Sequence, residues 1–402
     1  MVERVNVAVV GLGAMGANAL WRLAERGVSV VGFEQFTLAH PLGSSHGATR
    51  LFREACLEHP DLTPIAQLAK TLYRELEEHS GEELLRITGG VMMGAPDSDV
   101  IAGTRAAASA HGLALTDLSH AELAERYPQL AGLAETDVAV LDPGAGVAFP
   151  EPTIRAAVDR ARSLGAAVVE NTRVLAVEPG DDGVIVRTAT GEWLADRVIL
   201  AQGAWLAAEL PWIELQPIRT PMTWFGPRAT AADGASHAPS DVAAPDATEF
   251  ALERLPVFVR QLSESEVLWG HGTVGAVAGP EKGALIKAGV GDIWQERVRI
   301  DPEQLDRGVT PADWRQVSAL LAKAVPGIES LPARVDPCMV TISPDDQFVV
   351  GRSPRHPRVI VGGGDSGHAF KHAPALGEIL ARFALDEPQL VDTAFIDPAR
   401  FA

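Results

Sequence analysis

Cysteine is scarce in this chain. Cys56 and Cys338 are the only two in 402 residues, which excludes a disulfide framework and fits a reducing, cytoplasmic setting. The default role of each is a small buried apolar side chain, and Cys56 keeps that reading. No apolar run reaches the about 18 residues a membrane helix needs, so no membrane partner is expected. From Met1 the chain enters a strand pattern without a basic stretch or cleavage site, so no signal peptide is expected. Positive charge is also short: 34 Lys and Arg face 53 Asp and Glu, a net charge of −19. Such a surface repels nucleic acid and anionic lipid, and an anionic substrate would need a local cationic pocket. No His/Cys/Asp/Glu cluster has metal-ligand spacing, so no metal is expected. No internal repeat is found.

The hydrophobic content of 47% and the length allow a large core and two or more domains. The opening reads strand, turn, helix, strand. Val5–Val10 is a short apolar run of the fully buried kind. Ala19, Leu20, Leu23 and Ala24 follow at helical spacing, and Gly27 ends that helix. Val28–Phe33 is a second apolar strand. A further helix is predicted from Pro64 to His79, with Thr63 as its cap. The pattern turns to short strands near Gly89. Ala229–Thr248, rich in Ala, Pro, Asp and Ser, reads as a surface loop. Near the end, Val359–Val361 predicts a strand and Ala375–Leu385 a helix.

Between the first strand and helix stands Gly11-Leu12-Gly13-Ala14-Met15-Gly16, and Glu34 follows 18 positions past Gly16. In that context the glycines have distinct tasks: Gly11 the tight turn, Gly13 close approach of backbone to a pyrophosphate, Gly16 close packing of helix on sheet. The helix N-terminus offers N–H groups and a positive dipole to phosphates, and Glu34 would accept from ribose hydroxyls. Val5–Gln35 therefore holds an adenine dinucleotide. Two later segments, Asp196–Trp205 (DRVILAQGAW) and Val359–Lys371 (VIVGGGDSGHAFK), each return a buried strand to a small-residue turn. That recurrence favours FAD over NAD.

Five motifs in order carry a specific resemblance: the fingerprint; Gly43–Arg53 (GSSHGATRLFR); Lys287 in LIKAGVGD; Cys338 in DPCMVTISPDDQFVVG; and Ser366–Lys371 (SGHAFK). On these motifs the chain resembles, along nearly its whole length, the monomeric sarcosine oxidase and N-methyltryptophan oxidase family. The resemblance implies an α/β fold with a doubly wound, Rossmann-like FAD-binding domain and a second mixed-sheet α+β substrate domain, as in D-amino acid oxidase. It places the first in 1–86, 145–218 and 330–402, and the second in 87–144 and 219–329. It implies a monomer that oxidises a secondary or cyclic amino acid to an imine and passes the electrons to O2 as hydrogen peroxide. An FAD dehydrogenase serving a quinone or carrier protein, and a non-catalytic FAD-binding module, stay open as alternatives.

The resemblance also implies roles by residue. Lys287, in an apolar glycine-rich run, would promote O2 reduction; Arg50 and His46 would act beside the flavin. Arg53 and Lys371 would grip the substrate carboxylate, and Trp269 and Val340 would line the substrate pocket. Cys338 would carry FAD through a thioether. The remaining cofactor contacts would be Gln35, Ser44, Thr49, Val174, Gly203, Trp205, Gly364, Gly367 and His368, beside Gly11, Gly13, Gly16, Glu34, Arg50 and Lys371. Arg50 and Arg53, three apart, would share one helical face as an anion site. Four positions depart from the family pattern. Val340 and Trp269 stand where tyrosines are usual, Gly291 where histidine is usual, and Asp365 where an apolar residue is usual. The smaller groups at 340 and 291 suggest a substrate bulkier than sarcosine.

Overall fold

The computed structural model describes residues 3–228, 247–291 and 298–402. The predicted loop Ala229–Thr248 lies almost wholly outside them. Two eight-stranded sheets dominate, joined by a small three-stranded one.

The first sheet has a parallel centre. Glu3–Val10 lies between Val30–Phe33 and Glu192–Leu200, with Val10 opposite both Phe33 and Leu200. Ala167–Val169 extends it on one side and Val359–Gly363 on the other. Val7 to Val10 are all buried because both faces of this sheet are covered. Helices Ala14–Glu25, Pro150–Ser163 and Ala373–Ala384 pack together in the core on one face. A second apolar cluster, including Val186, Leu206, Leu210 and Ile213, covers the other. Gly377 lets two of these helices touch, since a Cβ there would lie 2.5 Å from the Asn18 backbone. Gly11, Ala201 and Gly364 each follow one of three neighbouring parallel strands, so their turns share the sheet's carboxyl edge, where such folds bind ligands.

The second sheet runs Arg334–Ile342, Gln216–Phe225, Ile286–Val290, Glu266–His271, Val257–Ser263, Gly90–Gly94, Val138–Asp142, Thr116–Leu118. It is antiparallel except between Val257–Ser263 and Gly90–Gly94. Arg334–Ile342 pairs along its length with Gln216–Phe225, so the strand bearing Cys338 belongs to the second sheet.

Two local expectations also change. The predicted helix 64–79 spans Leu62–Ser80, and Asp61 precedes it without a side-chain cap. Thr63 lies inside it, buried, and its Oγ1 accepts from the Cys56 N–H at 3.4 Å. Arg50 is not helical. It opens the strand Arg50–Phe52, paired with Gly146–Ala148 in the three-stranded sheet.

Candidate active site

A cavity of about 680 Å³ runs from the carboxyl edge of the first sheet to the face of the second. Gly11, Gly13, Glu34, Gln35, Val174, Gly203 and Trp205 line it from the first side, and Ser44, Thr49, Arg50, Cys338, Gly367, His368 and Lys371 line it further along. Gly11 has φ +89, and a Cβ there would meet the Ala201 carbonyl oxygen at 2.6 Å. A Cβ on Gly16 would lie 1.9 Å from the Gly11 oxygen, so this glycine serves packing and does not line the cavity. Gly364, at φ +60, also shapes a turn without lining it.

Glu34 is 4% exposed and held in place. The Leu12 and Phe36 N–H groups donate to its two oxygens at 3.0 Å, and His40 Nε2 lies 3.3 Å away. Burial raises its carboxyl, but the His40 and backbone hydrogen bonds outweigh burial and hold it below the usual range. Ser44 Oγ and Gln202 Oε1, both on residues of the cavity wall, are buried without a hydrogen-bond partner. Orphaned polar atoms, a glycine cradle at a helix N-terminus and an anionic acceptor at the end of the second strand together fit the adenosine and pyrophosphate of FAD.

Lys287 is 1% exposed, in the strand Ile286–Val290 and not on a sheet edge. Its Nζ donates to the Gly47 and Thr49 carbonyls at 2.9 and 2.8 Å and lies 5.0 Å from the Trp224 ring centroid. Burial, then the charge of Arg50, push its pKa well below the ordinary lysine value. Arg50 donates to the Thr49 and Ser44 carbonyls, both at 2.8 Å. The buried Cys338 thiol approaches the Ser44 and Gly43 carbonyls at 3.8 and 3.9 Å. Burial raises its pKa, while Arg50 and Lys287 act in the opposite sense.

His46 is not brought to the cavity: it is 3% exposed and absent from the wall. Burial, with Arg50 and Lys287 adding, lowers its pKa to about 3, so it is neutral. Asp365, half-buried in the wall, takes the Thr341 and Gly367 N–H groups at 3.0 Å each. Burial nevertheless raises its pKa to about 6.

Arg53 and Arg50 do not share a face. In extended chain, residues three apart point oppositely, and Arg53 turns instead to Glu58. Arg53 Nη2 and Lys371 Nζ donate to the same oxygen, Glu58 Oε1, the latter at 2.9 Å. Arg53 Nε and Nη1 are buried without partners, as is Glu58 Oε2. Arg53, Lys371 and above all burial act on Glu58; the two cations prevail over burial and hold its carboxyl well below the usual range. The sequence hinted at this residue only as an opposite charge five positions after Arg53.

Leu51, Leu57, Val100, Val259, Val267, Trp269 and Val290 form an apolar wall of the same cavity, with Gly291 and Val340 also lining it. The Trp269 ring lies against Gly289, whose Cβ would sit 2.3 Å from Trp269 Cζ2. Away from this cavity, Glu25, Glu75 and His79 come together at the surface, a grouping sequence spacing did not reveal. Glu25 and Glu75 are each engaged by an arginine at 2.7 Å, Arg160 and Arg22. No helix among the described residues is long and apolar enough to cross a membrane.

The model of the FAD dependent oxidoreductase family matches residues 6–383. The monomeric sarcosine oxidase of Streptomyces avermitilis is 31% identical over 406 residues, covering 100% of this chain and 99% of that protein. The N-methyl-L-tryptophan oxidase of Yersinia pestis is 26% identical over 399 residues, covering 98% and 99%. Among solved structures, the open form of NikD, an unusual amino acid oxidase essential for nikkomycin biosynthesis, superposes with a TM-score of 0.80 at 22% identity, covering 98% of both chains. The chain therefore belongs to the FAD dependent oxidoreductase family, among its sarcosine oxidase-like oxidases of amine CH–NH bonds.

Proposed function

We propose that this enzyme oxidises a secondary or cyclic amino acid bulkier than sarcosine to its imine, with O2 as electron acceptor and hydrogen peroxide as product. The observation that carries this reading is the convergence of Arg53 and Lys371 on one carboxylate oxygen within the apolar-walled cavity. A pocket that already holds one carboxylate between two cations is built to exchange it for another. The wall around Trp269, Val267 and Val290 then favours an apolar side chain or ring over the methyl group of sarcosine.

FAD held in this cavity would supply the redox chemistry, hydride acceptance from the carbon beside nitrogen and two-electron reduction of O2. The chain's own residues do the rest. Arg53 and Lys371 orient the substrate through its carboxylate. The positive field of Arg50, Lys287 and Lys371 lowers the amine's pKa, so that it loses its proton before oxidation. Lys287, whose Nζ is held by the Gly47 and Thr49 carbonyls in a dry site, stabilises negative charge developing on oxygen. Cys338 would serve as the attachment point for the flavin, and the first sheet and its turns would hold the remainder of the cofactor. The scarcity of cysteine supports a cytoplasmic setting, and we read the chain as a monomer.

The test is the absorption spectrum of the purified protein before and after acid precipitation, followed by a panel of N-methyl and cyclic amino acids with peroxide detection. Yellow colour in the pellet, bleaching by an apolar secondary amino acid and peroxide in air are expected. Bleaching without peroxide would make the enzyme a dehydrogenase, and bleaching by no secondary amine would sink the reading.

A further inference from the structure

The strand Glu266–His271 ends on a buried imidazole that no step above uses. His271 is 1% exposed and stands directly opposite Lys287 in the antiparallel register with Ile286–Val290. Cross-strand partners share one face of the sheet. His271 Nδ1 lies 2.6 Å from the Gly272 carbonyl oxygen, and its Nε2 lies 2.8 Å from Thr49 Oγ1. A carbonyl only accepts, so Nδ1 carries the ring proton. In the neutral ring Nε2 is then an acceptor, and the Thr49 hydroxyl donates to it.

Thr49 is the junction of the oxygen side of the site. Its carbonyl accepts from Lys287 Nζ at 2.8 Å and from Arg50 Nη1 at 2.8 Å. An ammonium has no directional fork of its own, so the acceptors it finds determine where its charge sits. Lys287 has two, the Thr49 and Gly47 carbonyls. We infer that His271 is a positioning residue: by anchoring the Thr49 side chain it fixes the carbonyl that aims both Lys287 and Arg50. The anchoring requires a neutral ring, because an imidazolium has no lone pair for the Thr49 hydroxyl and would repel Lys287. Burial lowers the His271 pKa to about 3, which keeps the ring neutral at working pH.

This inference rests on the oxygen-side role proposed for Lys287, so the experiment separates the two. Flavin reduction by the amine and reoxidation by O2 are measured separately by stopped flow in wild type, H271F, H271Q, K287M and the double variant K287M/H271F. The amide oxygen of Gln reaches the place of Nε2 and can accept from Thr49. H271F is expected to slow reoxidation about fivefold or more, with reduction changed less than about twofold. H271Q is expected to regain most of the lost rate. The double variant is expected to be no slower than K287M, because a residue acting through Lys287 has nothing left to position. Independent, multiplying losses in the double variant would overturn the inference while leaving the role of Lys287 standing. Unchanged reoxidation in K287M would remove that role and the inference with it.

A second readout does not depend on turnover. In oxidised holoenzyme with 15N-labelled histidine, the His271 signal, assigned by its loss in H271Q, is expected to show a neutral ring protonated at Nδ1 from pH 5 to 9. A ring protonated at Nε2, or one that titrates in that range, would overturn the inference.

Discussion

Lys371 Nζ lies 2.9 Å from Glu58 Oε1, the oxygen that Arg53 also holds. The carboxylate of the chain thus stands where the carboxylate of a substrate is expected. Two cations share one anion, and part of the Arg53 guanidinium is left buried without a partner. On the proposed function, a substrate carboxylate would compete with Glu58 for these two cations.

Replacing Glu58 by Gln removes the competitor. Binding of a small carboxylate inhibitor, followed by isothermal titration, is expected to tighten about tenfold. Stability is expected to fall by about 3 kcal/mol, since Arg53 and Lys371 lose their buried counter-charge. Weaker inhibitor binding would mean that Glu58 helps to seat the ligand.

Cys338→Ser tests the attachment of the cofactor. The variant is expected to release its yellow colour into the supernatant on acid precipitation, while the wild-type pellet stays coloured. Colour in the supernatant of both would show that FAD is held without a covalent bond.

Gly11→Ala tests the cradle. At φ +89 a side chain is strained, and its Cβ would press on the Ala201 carbonyl oxygen at 2.6 Å. A loss of about 2–3 kcal/mol in unfolding free energy and of FAD content is expected. A variant purified with full FAD content and an unchanged melting temperature would contradict the close approach of these two turns.

Glu378 offers a pH test. It is 2% exposed and binds Arg22, Arg26 and Arg382 at 2.6–2.7 Å, tying helix Ala14–Glu25 to helix Ala373–Ala384. Burial raises its carboxyl, but the arginines prevail and lower it from 4.5 to about 2. A depressed carboxyl contributes stability that is complete above the unfolded value and lost as pH falls through the folded one. That contribution is about 3 kcal/mol at neutral pH. Glu378→Gln is therefore expected to melt well below wild type at pH 7, with the gap narrowing from pH 4.5 towards pH 2. A gap that stays constant with pH would show that packing, and not charge, is what the substitution disturbs.

Local rules read well where local forces decide. The run VAVV at 7–10, the glycines of the turn and Glu34 announced a strand, a tight turn and a buried acidic residue, and the structure has all three there. The extent of the later helices was legible to within two or three residues, while the cap was not: Thr63 lies inside its helix because its hydroxyl serves the Cys56 N–H. Arg50 and Arg53 were misplaced on a helix because spacing alone cannot show that Gly146–Ala148, about a hundred residues on, draws Arg50 into a strand. His46 carried the motif but is packed away from the cavity.

By itself the sequence determined the dinucleotide turn, the order of five motifs and the presence of a lysine in an apolar strand. These follow from periodicity and from the few backbone shapes that glycine permits. Only the tertiary structure decided that Glu58 occupies the space between Arg53 and Lys371, that Cys338 rides on the second sheet, and that His271 faces Lys287 across a strand pair. Long-range pairing sets those relations, and it leaves no period in the chain.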